Sequence, residues 1–208
     1  MMNGEINSKT SSKVYLGKKT GTDKKYSVLD LIYMSLGAAL IVICSWISVP
    51  AAVPFTLQTF VVFCVIELIG GRRGSVSILV YILLGAVGLP VFSGFKGGIG
   101  VLFGTTGGYI IGFIFIALVY RLAERFFADK LYVRVISMMV GLAVCYAFGT
   151  AWFMIVYTRT RGAVDLAGAL GWCVIPFLIP DLIKMGLAVA VASRLRVAIG
   201  AEQLQVSR

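Results

Sequence analysis

Leu89-Pro-Val-Phe-Ser-Gly-Phe-Lys-Gly-Gly-Ile-Gly-Val-Leu-Phe-Gly-Thr-Thr-Gly-Gly-Tyr109 links two long apolar segments of the chain. Seven of its 21 residues are Gly. Each interior Gly costs a helix about 1 kcal/mol relative to Ala, so a regular helix through the stretch would be poor. Ordinary solvated loops are polar. This one carries a single charge, Lys96, among Phe92, Phe95, Ile99, Val101, Leu102 and Phe103. A flexible backbone with apolar side chains suits a lid or re-entrant loop folded over a small-molecule site. It also suits a connector packed on helix ends, and the stretch alone leaves both readings open.

The flanking segments set the solvent. Of 208 residues, 59% are hydrophobic and 13% charged, more apolar surface than a soluble domain of this size can hide. The natural medium is lipid. Net charge is +10 with no His, which excludes histidine bases and histidine metal ligands. The basic excess belongs on cytoplasmic flanks of membrane spans, so no nucleic-acid partner is expected. Cys44, Cys64, Cys145 and Cys173 sit in apolar runs without CxxC spacing and read as free thiols, with no metal site. No cleavable signal is evident, because the first apolar run follows a polar arm and is long enough to span.

Working outward, apolar runs fall at 28–49, 55–69, 75–89, 107–120, 135–157 and 166–193. The expected fold is an all-α membrane protein, a single bundle of six transmembrane helices spanning 27–196. A flexible basic arm (1–26) precedes it and a short polar tail (197–208) follows. With the N-terminus inside, 15 of the 19 Lys and Arg residues fall on inner segments, and only Lys96, Arg159 and Arg161 on outer ones. Both termini are therefore expected in the cytoplasm, with the glycine-rich stretch outside. Gly17-Lys18-Lys19-Thr20 lacks the spacing of a phosphate-binding P-loop, and no GxSxG or HExxH motif occurs. Neither ATP hydrolysis nor any other enzymatic activity is expected of this chain.

Ile175-Pro-Phe-Leu-Ile-Pro-Asp-Leu-Ile-Lys-Met-Gly186 holds two charges deep in an apolar run. Asp181 and Lys184 are three apart and share a helix face. Lys184 precedes Arg194 by ten residues, about 15 Å of helical rise, too deep to reach water by snorkelling. They can form a pair that merely pins the bundle, although an apolar pair would pin it at lower cost. A polar-ligand site accounts for both charges, and Pro180 loosens the helix beside them. An Asp acceptor with a Lys donor matches a group presenting N–H and C=O side by side, such as an amide or a ureido ring. Gln58 is a further donor and acceptor, or a helix-entrance amide bonded to backbone. Lys96 with the amides of Gly97 and Gly98 can receive a carboxylate, or Lys96 is a solvated loop charge. Most aromatics near the outer half read as interfacial-belt or packing residues, and periodicity does not say which of them wall a pocket; Phe92, Tyr109 and Tyr157 are the candidate ligand-binding residues, with Phe95 a further candidate cover. Ser35 and Ala39, four apart on the first span, offer a face that another helix can approach closely.

Four motifs in order resemble the BioY family: Val53-Pro-Phe-Thr-Leu-Gln-Thr59, Gly88-Leu-Pro-Val-Phe-Ser-Gly-Phe-Lys-Gly-Gly98, Gly104-Thr-Thr-Gly-Gly-Tyr-Ile-Ile-Gly-Phe113 and Ile179-Pro-Asp-Leu-Ile-Lys184. The family often has Pro where this chain has Thr105, and its small-residue pattern on helix one appears as Ser35-x-x-x-Ala39. The resemblance implies a biotin-binding S component of an energy-coupling factor transporter of a prokaryotic cytoplasmic membrane, with no cofactor. It implies that Asp181 and Lys184 hold the ureido ring. It also implies that helix one meets the energising module, a transmembrane scaffold with two ATPases. A stand-alone secondary carrier for biotin or another small vitamin is the alternative; paired inverted repeats would mark it, and no strong half-to-half similarity is seen.

Overall fold

The computed structural model describes residues 26–51 and 53–199. The expected arm and tail lie outside the described residues, apart from Tyr26 and the last turn of the final helix. α1 (Val28–Trp46) opens on a capping box in which Asp30 N–H donates to Ser27 Oγ at 3.1 Å and Ser27 N–H to Asp30 Oδ2 at 2.9 Å. Asp30 Oδ1 also receives Arg73 at 2.6 Å, so the cap ties α1 to the next helix. Two short strands follow, β1 (Ser48–Val49) antiparallel to β2 (Phe55–Thr56), with Ser48 opposite Thr56.

α2 (Gln58–Ala86) is interrupted at Gly70, whose φ of 83° and ψ of 161° are not helical. At this φ a side chain would be strained. The chain reverses there. A Cβ on Gly74 would lie 3.2 Å from Ile66 Cα, whereas residues eight apart in one helix are about 12 Å apart. The segments 58–69 and 71–86 therefore run antiparallel, and Glu124 Oε2 accepts from Gly71 N–H at the turn, 2.9 Å away. Next come α3 (Ile99–Leu102), α4 (Gly107–Phe126), α5 (Leu131–Thr160), α6 (Leu166–Cys173) and α7 (Ile175–Ile199). α4 lies along α5, and α2 packs on α1, α4 and α7.

Several expected boundaries move. The runs at 55–69 and 75–89 are two helical segments as expected, but their bounds shift to 58–69 and 71–86 and they meet at Gly70 without an intervening loop. The last run divides at Val174 (φ −125°, ψ −55°), just ahead of Pro176, whose missing N–H cannot continue a helical ladder. Pro180, by contrast, sits inside α7. Four helical stretches are long and apolar enough to cross a membrane by length and composition: α1, α4, α5 and α6 with α7. Each half of α2 is shorter than the 18 residues that this requires. Exposed Leu29, Ile32, Leu36, Leu40 and Ile43 along α1 suit a lipid environment.

Two ends of the bundle differ. At the end holding the α2 turn, Glu67 is fully buried and gathers Tyr120 Oη (2.8 Å), Arg134 Nη1 (2.7 Å) and Arg196, which joins α2, α4, α5 and α7. At the other end the glycine-rich stretch forms a strapped cap. Phe92 and Lys96 pair through backbone bonds of 2.9 and 3.3 Å. Ser45 Oγ donates to Val91 O (2.5 Å) and Trp46 Nε1 to Pro90 O (2.9 Å). Phe95, at φ 57°, stacks on Trp46 with ring centroids 5.0 Å apart. On the far side Trp152 Nε1 donates to Gly104 O at 3.0 Å.

The cap is seated by Phe92, which is 1% exposed, edge-on to Tyr81, and directly over Gly85. A Cβ at Gly85 would stand 2.0 Å from Phe92 Cζ. Gly85→Ala is therefore expected to unseat the ring and cost about 1–3 kcal/mol by overpacking, read as a lower Tm in detergent. Gly100→Ala, where nothing lies within 4 Å of the added carbon, serves as the control and should not lower Tm. Equal Tm values for the two variants would contradict this packing.

Candidate functional site

Beneath the cap lies a cavity of about 320 Å³, within the about 300–1,000 Å³ usual for small-molecule sites. The segment before α2 closes one side with Val53, Pro54 and Thr56, and the first turn of α2 adds Gln58 and Thr59. Phe92, Ser93 and Lys96 come from the cap, Thr106 is the N-cap of α4, and α4 itself contributes Tyr109 and Phe113. Leu142, Cys145 and Tyr146 belong to α5, whereas Phe177, Asp181 and Lys184 belong to α7.

Asp181 is 2% exposed and Lys184 7% exposed. Their burial is offset by close pairing. Lys184 Nζ donates to Asp181 Oδ1 at 2.9 Å, to Thr56 O at 2.7 Å and to Thr59 Oγ1 at 3.1 Å. An ammonium has three protons, so all are engaged. The same Nζ stands 4.0 Å from the centroid of the Phe55 ring, a cation–π contact. On the acid, Oδ1 also accepts from Thr59 Oγ1 at 2.9 Å, and Oδ2 accepts from Tyr146 Oη at 2.6 Å. A carboxylate has about four acceptor positions. One position on Oδ2 remains for a donor from outside the protein. The Lys184 bond to Thr56 O and its contact with Phe55 bind β2 to α7, so the wall of the cavity and the ion pair are one construction.

The structure distributes the sequence-predicted residues unevenly. Asp181, Lys184, Gln58, Phe92, Lys96 and Tyr109 all line the cavity. Gln58 is 4% exposed, and its Nε2 has no hydrogen-bond partner among the described residues. The Tyr109 hydroxyl is engaged with Thr150 Oγ1 at 2.9 Å. Gly97, Gly98 and Tyr157 do not line it. Gly98 N–H donates to Gly85 O at 2.7 Å, which removes that amide from any anion. A Cβ on Gly97 would strike the Leu89 carbonyl. Tyr157 instead stacks on Phe153 (5.2 Å) and makes a tilted contact with Trp172 (5.8 Å). Ser35 and Ala39 are exposed on α1, away from the cavity. Sequence reasoning missed Thr56, Thr59 and Tyr146. Tyr146 carried a usable signal, a hydroxyl in the middle of an apolar span, where polar groups seek partners. Among the described residues no group of three or more Cys, Asp and Glu side chains is placed to hold a metal ion.

Removing one member of a buried pair leaves an uncompensated charge, at about 3–5 kcal/mol. Asp181→Ala should therefore lower Tm sharply, and Lys184→Met added to it should recover part of the loss. A double variant less stable than Asp181→Ala alone would show that the ammonium is not held by the carboxylate.

Comparison with known proteins gives a consistent set of relatives. The family model described as "BioY family" matches residues 18–201. The biotin transporter BioY of Thermotoga maritima is 42% identical over 169 residues, covering 80% of this chain and 95% of its own. A probable biotin transporter BioY of Pyrococcus horikoshii is 39% identical over 168 residues, covering 80% and 96%. A crystal structure of the S-component for biotin from an ECF-type ABC transporter has the same fold, with a TM-score of 0.69. It is 23% identical, and the match covers 85% of this chain and 95% of that one. On the family match and these identities, the chain belongs to the BioY family.

Proposed function

We propose that this chain is a high-affinity biotin-capture subunit, the S component of an ECF-type vitamin uptake transporter. The chain is a multi-pass membrane protein of a transporter family, and the relatives named above are biotin transporters. One observation carries the reading on to these residues: the cavity ends on a buried Asp181–Lys184 pair with a single acceptor position to spare. A ureido ring brings N–H donors, and its N–H is received by Asp181 Oδ2. Thr59 and Tyr146 hold that carboxylate in place, Gln58 lies beside them, and Phe92, Phe113, Tyr109 and Phe177 cover the ring's apolar body. The subunit binds its cargo without chemistry on it and needs no cofactor.

The proposed topology has six membrane crossings, counting the two halves of α2 separately and α6 with α7 as one. Charge supports its orientation in a prokaryotic cytoplasmic membrane. Arg72, Arg73, Arg121, Arg125, Lys130, Arg134, Arg194 and Arg196 occupy the inner end, where both termini lie, against Lys96, Arg159 and Arg161 at the cap end. The cavity then receives its ligand from outside. The energising partner, a transmembrane scaffold with two ATPases, meets the exposed Ser35/Ala39 face of α1.

Titration calorimetry of the purified protein tests the ligand. Biotin is expected to bind one to one, and the diamine left when the ring carbonyl is removed should bind at least about tenfold more weakly. Asp181→Asn should weaken biotin by about 10–100-fold, the range for a hydrogen bond to a charged group. Biotin and the diamine binding alike would overturn the ureido assignment. For the partner face, Ala39→Leu should abolish co-purification with the module and leave biotin affinity unchanged; retained co-purification would remove α1 from the interface.

A further inference from the structure

Buried polar atoms in a folded interior are nearly all hydrogen-bonded, because an unpartnered one is costly. Among the described residues four buried side-chain atoms have no hydrogen-bond partner: Gln58 Nε2, Tyr81 Oη, Glu67 Oε1 and Arg134 Nε. The last two are ion-paired, Glu67 Oε1 with Arg134 Nη1 at 2.7 Å and Arg134 Nε with Asp129 Oδ1 at 3.6 Å. That leaves Gln58 and Tyr81, and these two are neighbours. The Tyr81 hydroxyl faces the side chains of Gln58 and Ser45. Its ring is edge-on to Phe92, with centroids 5.5 Å apart. Gln58 lines the cavity, whereas Tyr81 and Ser45 do not and are fully buried.

The three side chains have a matching order of donors and acceptors. Gln58 Nε2 has two protons to give, and a phenol hydroxyl both accepts and donates. The Ser45 hydroxyl sends its proton to backbone, with Val91 O at 2.5 Å and Val42 O at 2.7 Å, so its oxygen still has room to accept. One direction of donation can therefore run from the cavity wall to the cap: Gln58 to Tyr81, Tyr81 to Ser45, and Ser45 to the Val91 carbonyl. Bonds aligned in this way polarise and strengthen one another. We infer that Tyr81 is a positioning residue for ligand binding, whose hydroxyl holds the Gln58 carboxamide toward the cavity and joins it through Ser45 to the cap. Tyr81 does not touch the ligand. A ligand group that bonds Gln58 fixes the carboxamide, and the fixed amide completes the bond to Tyr81. The inference rests on the biotin reading in that a polar group of the ligand meets Gln58.

Tyr81→Phe removes one oxygen and keeps the ring against Phe92. Biotin affinity, by titration calorimetry on the full-length protein, is expected to fall about tenfold, as for loss of a neutral hydrogen-bond chain. Tm measured without biotin is expected not to fall, because the hydroxyl removed has no partner. A residue that merely packs would show the reverse, a lower Tm with unchanged affinity. In a Gln58→Met background, Tyr81→Phe should change biotin affinity by less than about twofold, since the amide through which it acts is gone. Unchanged affinity in Tyr81→Phe, an equal loss in both backgrounds, or a lowered Tm without biotin would overturn the positioning role while leaving the biotin reading standing. A parent protein that fails to bind biotin would overturn both.

Discussion

The ion pair between Asp181 and Lys184 governs the rest of this structure, because two charges this deep in an apolar bundle need every polar contact they can be given. Four elements converge to provide them. β2 lends the Thr56 carbonyl and the Phe55 ring, the first turn of α2 lends Thr59, α5 lends Tyr146, and α7 carries the pair. Each contact is also a constraint on packing. The link before α2 cannot drift from α7 without stripping Lys184 of an acceptor, and α5 cannot turn about its axis without releasing Asp181.

The two ends of the bundle are held by different means. Glu67 and its Tyr120, Arg134 and Arg196 partners lock four helices at the α2-turn end with buried, charge-assisted contacts. The cap end is held by lighter attachments: two side-chain bonds from Ser45 and Trp46, one from Trp152, a ring stack, and Phe92 in the notch over Gly85. Any opening of the cavity is therefore cheaper at the cap than at the Glu67 end. That asymmetry matches a site that admits its ligand from one side of a membrane.

Much of this is legible in the residue order. Asp181 and Lys184 stand out because charges three apart in a long apolar run are too costly to be incidental. The apolar runs themselves are visible, although their grouping is not. Gly70 and Gly71 announce a turn, but that 58–69 and 71–86 press together at Ile66 and Gly74 depends on a close approach no local pattern encodes. Pro176 and Pro180 look equivalent in sequence, and only the first accompanies a break. Pro176 opens α7, where a helix needs no N–H, whereas Pro180 lies a turn further in and α7 runs on through it. Thr59 and Tyr146 escape notice, since a hydroxyl in a span is common and its partner is fixed only in three dimensions. Local chemistry assigns the amides of Gly97 and Gly98 to an anion, yet Gly98 N–H finds Gly85 O, thirteen positions away. Local chemistry identifies what a group can do; the fold decides whether the group is still free to do it.

The central claim is directional: the buried pair receives the ring end of biotin. A crystal structure of the protein with biotin, phased so that the anomalous signal of the ring sulfur marks the ring, tests it most directly. The account predicts the sulfur in the cavity near Phe177 and a ring N–H within about 3 Å of Asp181 Oδ2. Sulfur density under the cap, with the acid turned toward Lys184, would contradict it.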